Sequence, residues 1–118
     1  MPTFSGKKSL TQIDYLLTDS DVDNTPKADI FGGAATVYCL FLEANAGTTY
    51  LRIWDKASVS VGSDAPDFIF KLTGNVNWLI ADGMPFTNFS YAAVTTAGTA
   101  GSSHPADGTT IKLNSVVR

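Results

Sequence analysis

From residue 34 onward, apolar and polar positions alternate in short runs separated by turn-forming residues, at intervals of roughly ten to fifteen residues. Residues 36–42 form a nearly continuous apolar run, which predicts a strand buried on both faces. Asn45-Ala46-Gly47 then supplies a turn into 48–55, where Leu51 and Ile53 alternate with Tyr50, Arg52 and Trp54. These two runs read as a β-hairpin. After the loop Gly62-Ser63-Asp64-Ala65-Pro66, residues 67–72 set Phe68, Phe70 and Leu72 against Ile69 and Lys71. Gly74-Asn75 leads to a short strand over 78–80, and Asp82-Gly83-Met84-Pro85 reads as a further turn. The strand over 89–96 has an ambiguous face, because Phe89 and Tyr91 or Ala92 and Val94 could point inward. A loop over 97–108 precedes a last strand over 110–117. No window holds helical periodicity for three turns. Six or seven strands on one core predict an all-β fold, a single antiparallel β-sandwich with jelly-roll-like or Ig-like layering.

The first thirty residues lack that alternation. Asn24-Thr25-Pro26 interrupts them, and Pro26 blocks a helix through that point and biases Thr25 to an extended conformation. Ile13-Asp14-Tyr15-Leu16-Leu17 is the exception, apolar enough to need a partner surface. Residues 1–33 are therefore expected to be an extended N-terminal arm, divided at Gly32-Gly33 from a sandwich body over 34–118.

Composition sharpens this division. Charged residues make up 16% of the 118 residues, against about 25% in average soluble proteins, and 24 Ser and Thr stand in their place. Net charge is −3, carried mostly by residues 14–30, where five Asp face Lys27 alone, while residues 31–118 are nearly neutral. A pI near 4.7 without a basic cluster argues against nucleic-acid binding, and Lys7-Lys8 is too small a patch to change that. Lys7-Lys8 is followed by polar residues, so no secretory leader is expected, and no apolar run has the length of a membrane span. The expectation is a soluble protein made in a cytoplasm, with no membrane partner.

Candidate chemistry is sparse. Asp19, Asp21 and Asp23 have the D-x-D-x-D spacing that opens a calcium loop, because alternate carboxylates can converge on a hard cation. The pattern then breaks. Position twelve is Ile30 where a bidentate Glu is needed, and Pro26 lies inside the loop. Solvated surface carboxylates are the preferred reading, and no cofactor is expected. Cys39, the one cysteine, sits in an apolar run as a small hydrophobe. His104, the one histidine, lies near Asp107 in a Gly/Ser loop, too close along the chain for a preorganised triad. Gly98-Thr99-Ala100-Gly101 lacks the lysine and helix of a phosphate loop. Asp55, Asp64, Asp67 and Asp82 sit at strand ends and turns, where Asp accepts local hydrogen bonds. The chain is not expected to be an enzyme. On the 48–55 strand, Arg52 in the middle of the Tyr50/Arg52/Trp54 face suggests that this face is not the dry core. Two readings stand side by side: a partner interface rich in aromatic and Arg residues, or Arg52 stacked between the rings with loops covering them. The same face with Trp78 could also stack sugar rings.

The stretch 50–67 continues from that strand through Val61-Gly62-Ser63-Asp64-Ala65-Pro66 into an apolar strand. Further on, Phe86 and Phe89 precede Thr95-Thr96-Ala97-Gly98-Thr99-Ala100-Gly101. These segments resemble short virion structural proteins of tailed bacteriophages, over roughly 34–117 and excluding the arm. The resemblance implies a small β-sandwich capsid decoration or cement protein, bound to the outside of the major capsid protein shell and located on the virion. It also implies self-association, as a homotrimer at three-fold lattice positions. Partner contacts are expected from the arm through Phe4, Tyr15, Leu16 and Leu17, which could equally fold back on its own sandwich, and from Tyr50, Arg52 and Trp54. A phage tail, adaptor or fibre module and a carbohydrate-binding module remain as alternatives, the latter requiring Trp54 or Trp78 to be exposed.

Overall fold

A computed structural model describes residues 13–43, 48–101 and 110–117, with side-chain surroundings over 18–43, 48–101 and at 110 and 111. Seven strands follow in order: β1 (Ile13–Asp19), β2 (Ala35–Glu43), β3 (Thr49–Asp55), β4 (Phe68–Leu72), β5 (Val76–Phe86), β6 (Phe89–Val94) and β7 (Thr110–Val117). They form two antiparallel sheets, ordered β1-β7-β2-β5 and β4-β3-β6. The all-β sandwich expected from the alternation is what the chain forms.

The descent from β1 to β2 completes the architecture. Ala93 N donates to Asp23 O (2.8 Å), Lys27 and Tyr91 exchange N–H···O bonds (2.9 and 3.1 Å), and Ile30 N donates to Phe89 O (2.9 Å). Residues 23–30 thus run antiparallel along β6 as an irregular fourth strand of the second sheet. Counting that segment, the strand orders are those of a jelly roll, in which almost every connection crosses between sheets. The arm therefore lies on its own sandwich wherever it is described: β1 pairs with β7, and Val22 and Phe31 enter the core. Over the described residues 13–33, arm and body pack as one sandwich. Phe4 lies outside the described residues, and Tyr15, Leu16 and Leu17 are placed by backbone register alone, Tyr15 opposite Val116 and Leu17 opposite Leu113.

Two further expectations are corrected. Strands β2 and β3 do not form a hairpin, because they belong to different sheets. A turn signal says that the chain reverses; it does not say whether the returning strand joins the same sheet or the facing one. The turn itself, Asn45-Ala46-Gly47, lies outside the described residues. The run Asp82-Gly83-Met84-Pro85 is not a turn but part of β5, which extends over 11 residues. Its pairing with β2 steps from Val37↔Met84 to Cys39↔Leu79, so β5 carries a bulge there. Gly83 meets two demands in this bulge. Its φ is +78°, and a Cβ would lie 2.5 Å from Thr36 Cγ2 and 2.8 Å from the Tyr38 ring.

The core lies between the sheets. Leu51 and Ile53 of β3, Leu72 of β4 and Phe89, Tyr91 and Ala93 of β6 face Ala35, Val37, Leu40 and Leu42 of β2, with Phe86 and Ile111. Each fully buried Leu, Ile or Phe contributes roughly 1.5–3 kcal/mol of transfer free energy. A row of rings threads this layer: Phe31–Phe89, Phe89–Phe86, Phe86–Phe68, Phe68–Trp78 and Trp78–Phe70, with centroids 4.8 to 6.3 Å apart.

Candidate functional site: the loop-covered face of the second sheet

β3 is the central strand of the second sheet, with β4 on one side and β6 on the other. Its inward residues, Leu51 and Ile53, belong to the core. Its outward residues, Arg52 and Trp54, are also fully buried, each at 0% exposure. β6 behaves alike: Phe89, Tyr91 and Ala93 face the core, while Ser90, Ala92 and Val94 are buried on the opposite side. Both faces of that ambiguous strand point into cover. Of the two readings of this face, loop cover is what the structure shows for Trp54 and Arg52; the partner-contact reading of these two is corrected, since neither side chain offers surface. Tyr50, nearer the strand's start, is half-buried.

Two loops supply the cover, and β3 holds both. The Arg52 guanidinium donates from Nη1 to Thr99 O (3.0 Å) and Gly101 O (2.9 Å), and from Nη2 to Thr96 O and Ala100 O (both 2.9 Å). Thr96 Oγ1 stands 3.3 Å from Nη2 and itself donates to Ala100 O (3.1 Å). Four carbonyls of one glycine-rich turn thus converge on a single cation. No carboxylate is among these partners, and burial pushes the guanidinium pKa below its ordinary value. Arg52 Nε is the one buried side-chain polar atom without a partner among the described residues. Gly101, at φ +85°, is needed here because a Cβ would strike Thr96 Oγ1. The guanidinium can hold this turn because its fork presents several donors in one plane. Its Nη donors are directed at the turn and the whole group is buried, so no open fork faces an incoming phosphate or carboxylate.

Trp54 performs the matching task two residues on. Its Nε1–H donates to Asp64 O (3.0 Å), fixing the loop between β3 and β4 over the indole. Asp64 organises the same loop from its other end, accepting from Ser60 N (2.7 Å) and from Lys56 Nζ (3.0 Å). The Ser60 and Lys56 hydrogen bonds hold its carboxyl below the usual carboxylate range.

Asp55, Asp67 and Asp29 are engaged in the same way. Asp55 Oδ1 accepts from Thr87 N (2.8 Å) and Asn88 N (2.7 Å), closing the link between β5 and β6. Asp67 Oδ2 accepts from Asp55 N (2.6 Å). Asp29, at φ +47°, accepts from Gly33 N and Asn88 Nδ2, while its own N–H donates to Ser90 Oγ (2.8 Å). Ser90 in turn donates to Lys56 O (2.6 Å), which ties the 23–30 segment to the loop over Trp54.

The Asp19, Asp21, Asp23 run does not assemble. Asp19 Oδ1 accepts from Asp21 N (3.2 Å), Asp19 Oδ2 from the Tyr91 hydroxyl (2.8 Å), and Asp23 Oδ1 from Thr25 N (2.8 Å). Asp19 and Asp23 each accept from a backbone N–H two residues on, the local bond that Asp side chains form readily. No group of three or more metal-ligating side chains converges among the described residues. Burial, the Asp19 hydrogen bond and the Asp19 charge together raise the Tyr91 phenol well above its ordinary range.

Cys39 is a half-buried free thiol on β2, opposite Leu79 of β5, while His104 and Asp107 lie outside the described residues. Trp78 is half-buried between Phe68 and Phe70 rather than presented as a flat platform. With Trp54 covered as well, the aromatic face that a sugar would need is missing from β3. No helix among the described residues is long and apolar enough to cross a membrane.

Sequence reasoning found Arg52 and Trp54 and, as one of two readings, their loop cover, but not the hydrogen bonds that hold the loops. The signal for Arg52 was a cation inside an otherwise apolar strand, combined with a glycine-rich stretch downstream that must be held by something. No family model, curated protein or solved structure matches the chain.

Proposed function

We propose that the chain is a structural component of a bacteriophage virion, a decoration protein that binds the outside of the major capsid protein shell and reinforces it. One observation carries this reading. The two stretches that resemble phage virion proteins, 50–67 and 95–101, meet in space, and Arg52 and Trp54 of the first hold the loops of both. A shared composition alone would not select two segments that depend on each other physically. The fate of the polar groups favours the same reading. Asp55, Asp64, Asp67 and the buried Arg52 are spent on holding loops, which suits a bland jelly roll to broad protein contacts. No catalytic role is part of this proposal.

The particle provides the test. Virions purified from cells carrying this coding sequence are expected to contain the chain in many copies by mass spectrometry. Recombinant protein added to particles lacking it should cosediment with them and raise the temperature at which they lose their genome. Absence from purified particles, or saturable binding to tails alone, would overturn the proposal.

A further inference from the structure

The jelly roll has four sheet edges, and three carry features that discourage pairing with another strand. β1 has two register irregularities along its pairing with β7, and its sequence includes Asp14 and Asp19. The 23–30 segment contains Pro26, Asp23 and Lys27 and follows β6 irregularly. β4 has five residues, with Lys71 exposed. Charges, proline, bulges and short length are the devices by which sheet edges avoid association.

The fourth edge lacks them over its first half. Residues 76–81 of β5 hold no charge and no proline; the bulge and Pro85 come later in the strand. No strand pairs with the outer edge of β5 among the described residues. Leu79, on the outward face, is 74% exposed, the most exposed large apolar side chain described. On the inward face Val76 and Trp78 are partly buried at the margin of the core, as are Phe68 and Phe70 on the neighbouring edge.

We infer that residues 76–81 of β5 pair with the same segment of a second copy, joining two four-stranded sheets into one across a two-fold axis. Strand parity decides which residues meet in such a pair. Residues directly opposite one another in an antiparallel pair share a sheet face, so even-numbered positions meet even and odd meet odd. Val76, Trp78 and Ile80 then meet among themselves on the inner face, and Asn77, Leu79 and Ala81 on the outer. Neither set contains a charge, so two chains each carrying −3 approach here without an ion facing its like. A closed two-fold contact uses one patch twice, which is the commonest arrangement of homo-oligomers. The inference does not rest on the capsid reading, and it specifies a dimer where the resemblance implied a trimer.

Sedimentation velocity on the full chain, from micromolar to millimolar, is the experiment. A monomer–dimer equilibrium is expected. Leu79→Lys, which sets an ammonium across the axis near its copy, should weaken that equilibrium about tenfold or more while leaving the far-ultraviolet spectrum and melting temperature in place. Ile69→Lys, at an exposed site on β4, is the control and should leave association unchanged. If Leu79→Lys does not fold, Asn77→Asp applies the same repulsion at an exposed position without changing shape. A wild type that stays monomeric throughout, a trimer, or a dimer indifferent to the folded variants would overturn the inference. Capture of a foreign uncharged peptide by a monomeric wild type would overturn it equally.

Discussion

The two sheets treat their outer faces in opposite ways. On the β4-β3-β6 sheet, the face turned from the core is roofed by the loops over 56–66 and 96–101, so Arg52, Trp54, Ser90, Ala92 and Val94 are all buried. On the β1-β7-β2-β5 sheet, the outward positions Thr36, Phe41 and Glu43 are half-buried, while Asn77, Leu79 and Ala81 stand exposed. The first face is a second, smaller interior organised by polar groups. On the second, it is the outward positions 77, 79 and 81 of β5 that stand open. Burial on both sides of a strand therefore need not mean two hydrophobic layers: a guanidinium donating to four carbonyls can anchor one of them.

The sharpest way to break this contrast is Arg52→Ala. It removes the guanidinium donors of four carbonyls in the 96–101 turn, leaving Ala100 O only the Thr96 hydroxyl, and opens a cavity on β3; a loss of about 3 kcal/mol is expected in urea unfolding. Proteolysis should then cut first within 96–101. Retention of wild-type stability would mean that the roof does not depend on its anchor.

A smaller effect is expected on the open sheet. Gly83→Ala imposes a side chain at positive φ and against Thr36 and the Tyr38 ring, at a cost of about 1–2 kcal/mol. Tyr38 can partly turn away, which keeps the loss below that of Arg52→Ala.

The smallest effects are in the pH dependence. Tyr91 has its folded pKa raised above the unfolded value of about 10, so its contribution is fully present below that pH and is lost as pH rises beyond it. Asp64 has its folded pKa lowered, so its contribution is present above the unfolded carboxylate value of about 4 and is lost as pH falls through the folded one. Tyr91→Phe should flatten the alkaline limb of the stability profile and Asp64→Asn the acid limb, each measured by denaturant midpoint against pH. Asp64 is the smaller of the two because water screens its exposed loop.

Much of the strand pattern was legible because it is local. The expected strands at 36–42, 48–55, 67–72 and 110–117 agree with β2, β3, β4 and β7 to within a residue at each end. The β5 bulge was misread as a turn because Asp-Gly and Pro are turn residues, and nothing nearby shows that Tyr38 packs over that glycine. The arm was harder still. Residues 23–30 join β6 through main-chain N–H and C=O groups, which every sequence possesses, so their pairing leaves no mark in residue type.

By itself, then, the sequence determined that this chain is a β-sandwich and where most of its strands lie. Alternation and turn chemistry act over a few neighbouring residues and are readable there. Tertiary structure alone decided which strands share a sheet, that the arm closes the jelly roll, and that Arg52 is interior. Those outcomes depend on contacts between groups far apart in the chain: the Arg52 partners lie 44 to 49 residues away. A cation in a strand has the same spelling whether it meets solvent, a partner or a ring of carbonyls. Its environment is set by where a distant loop comes to rest.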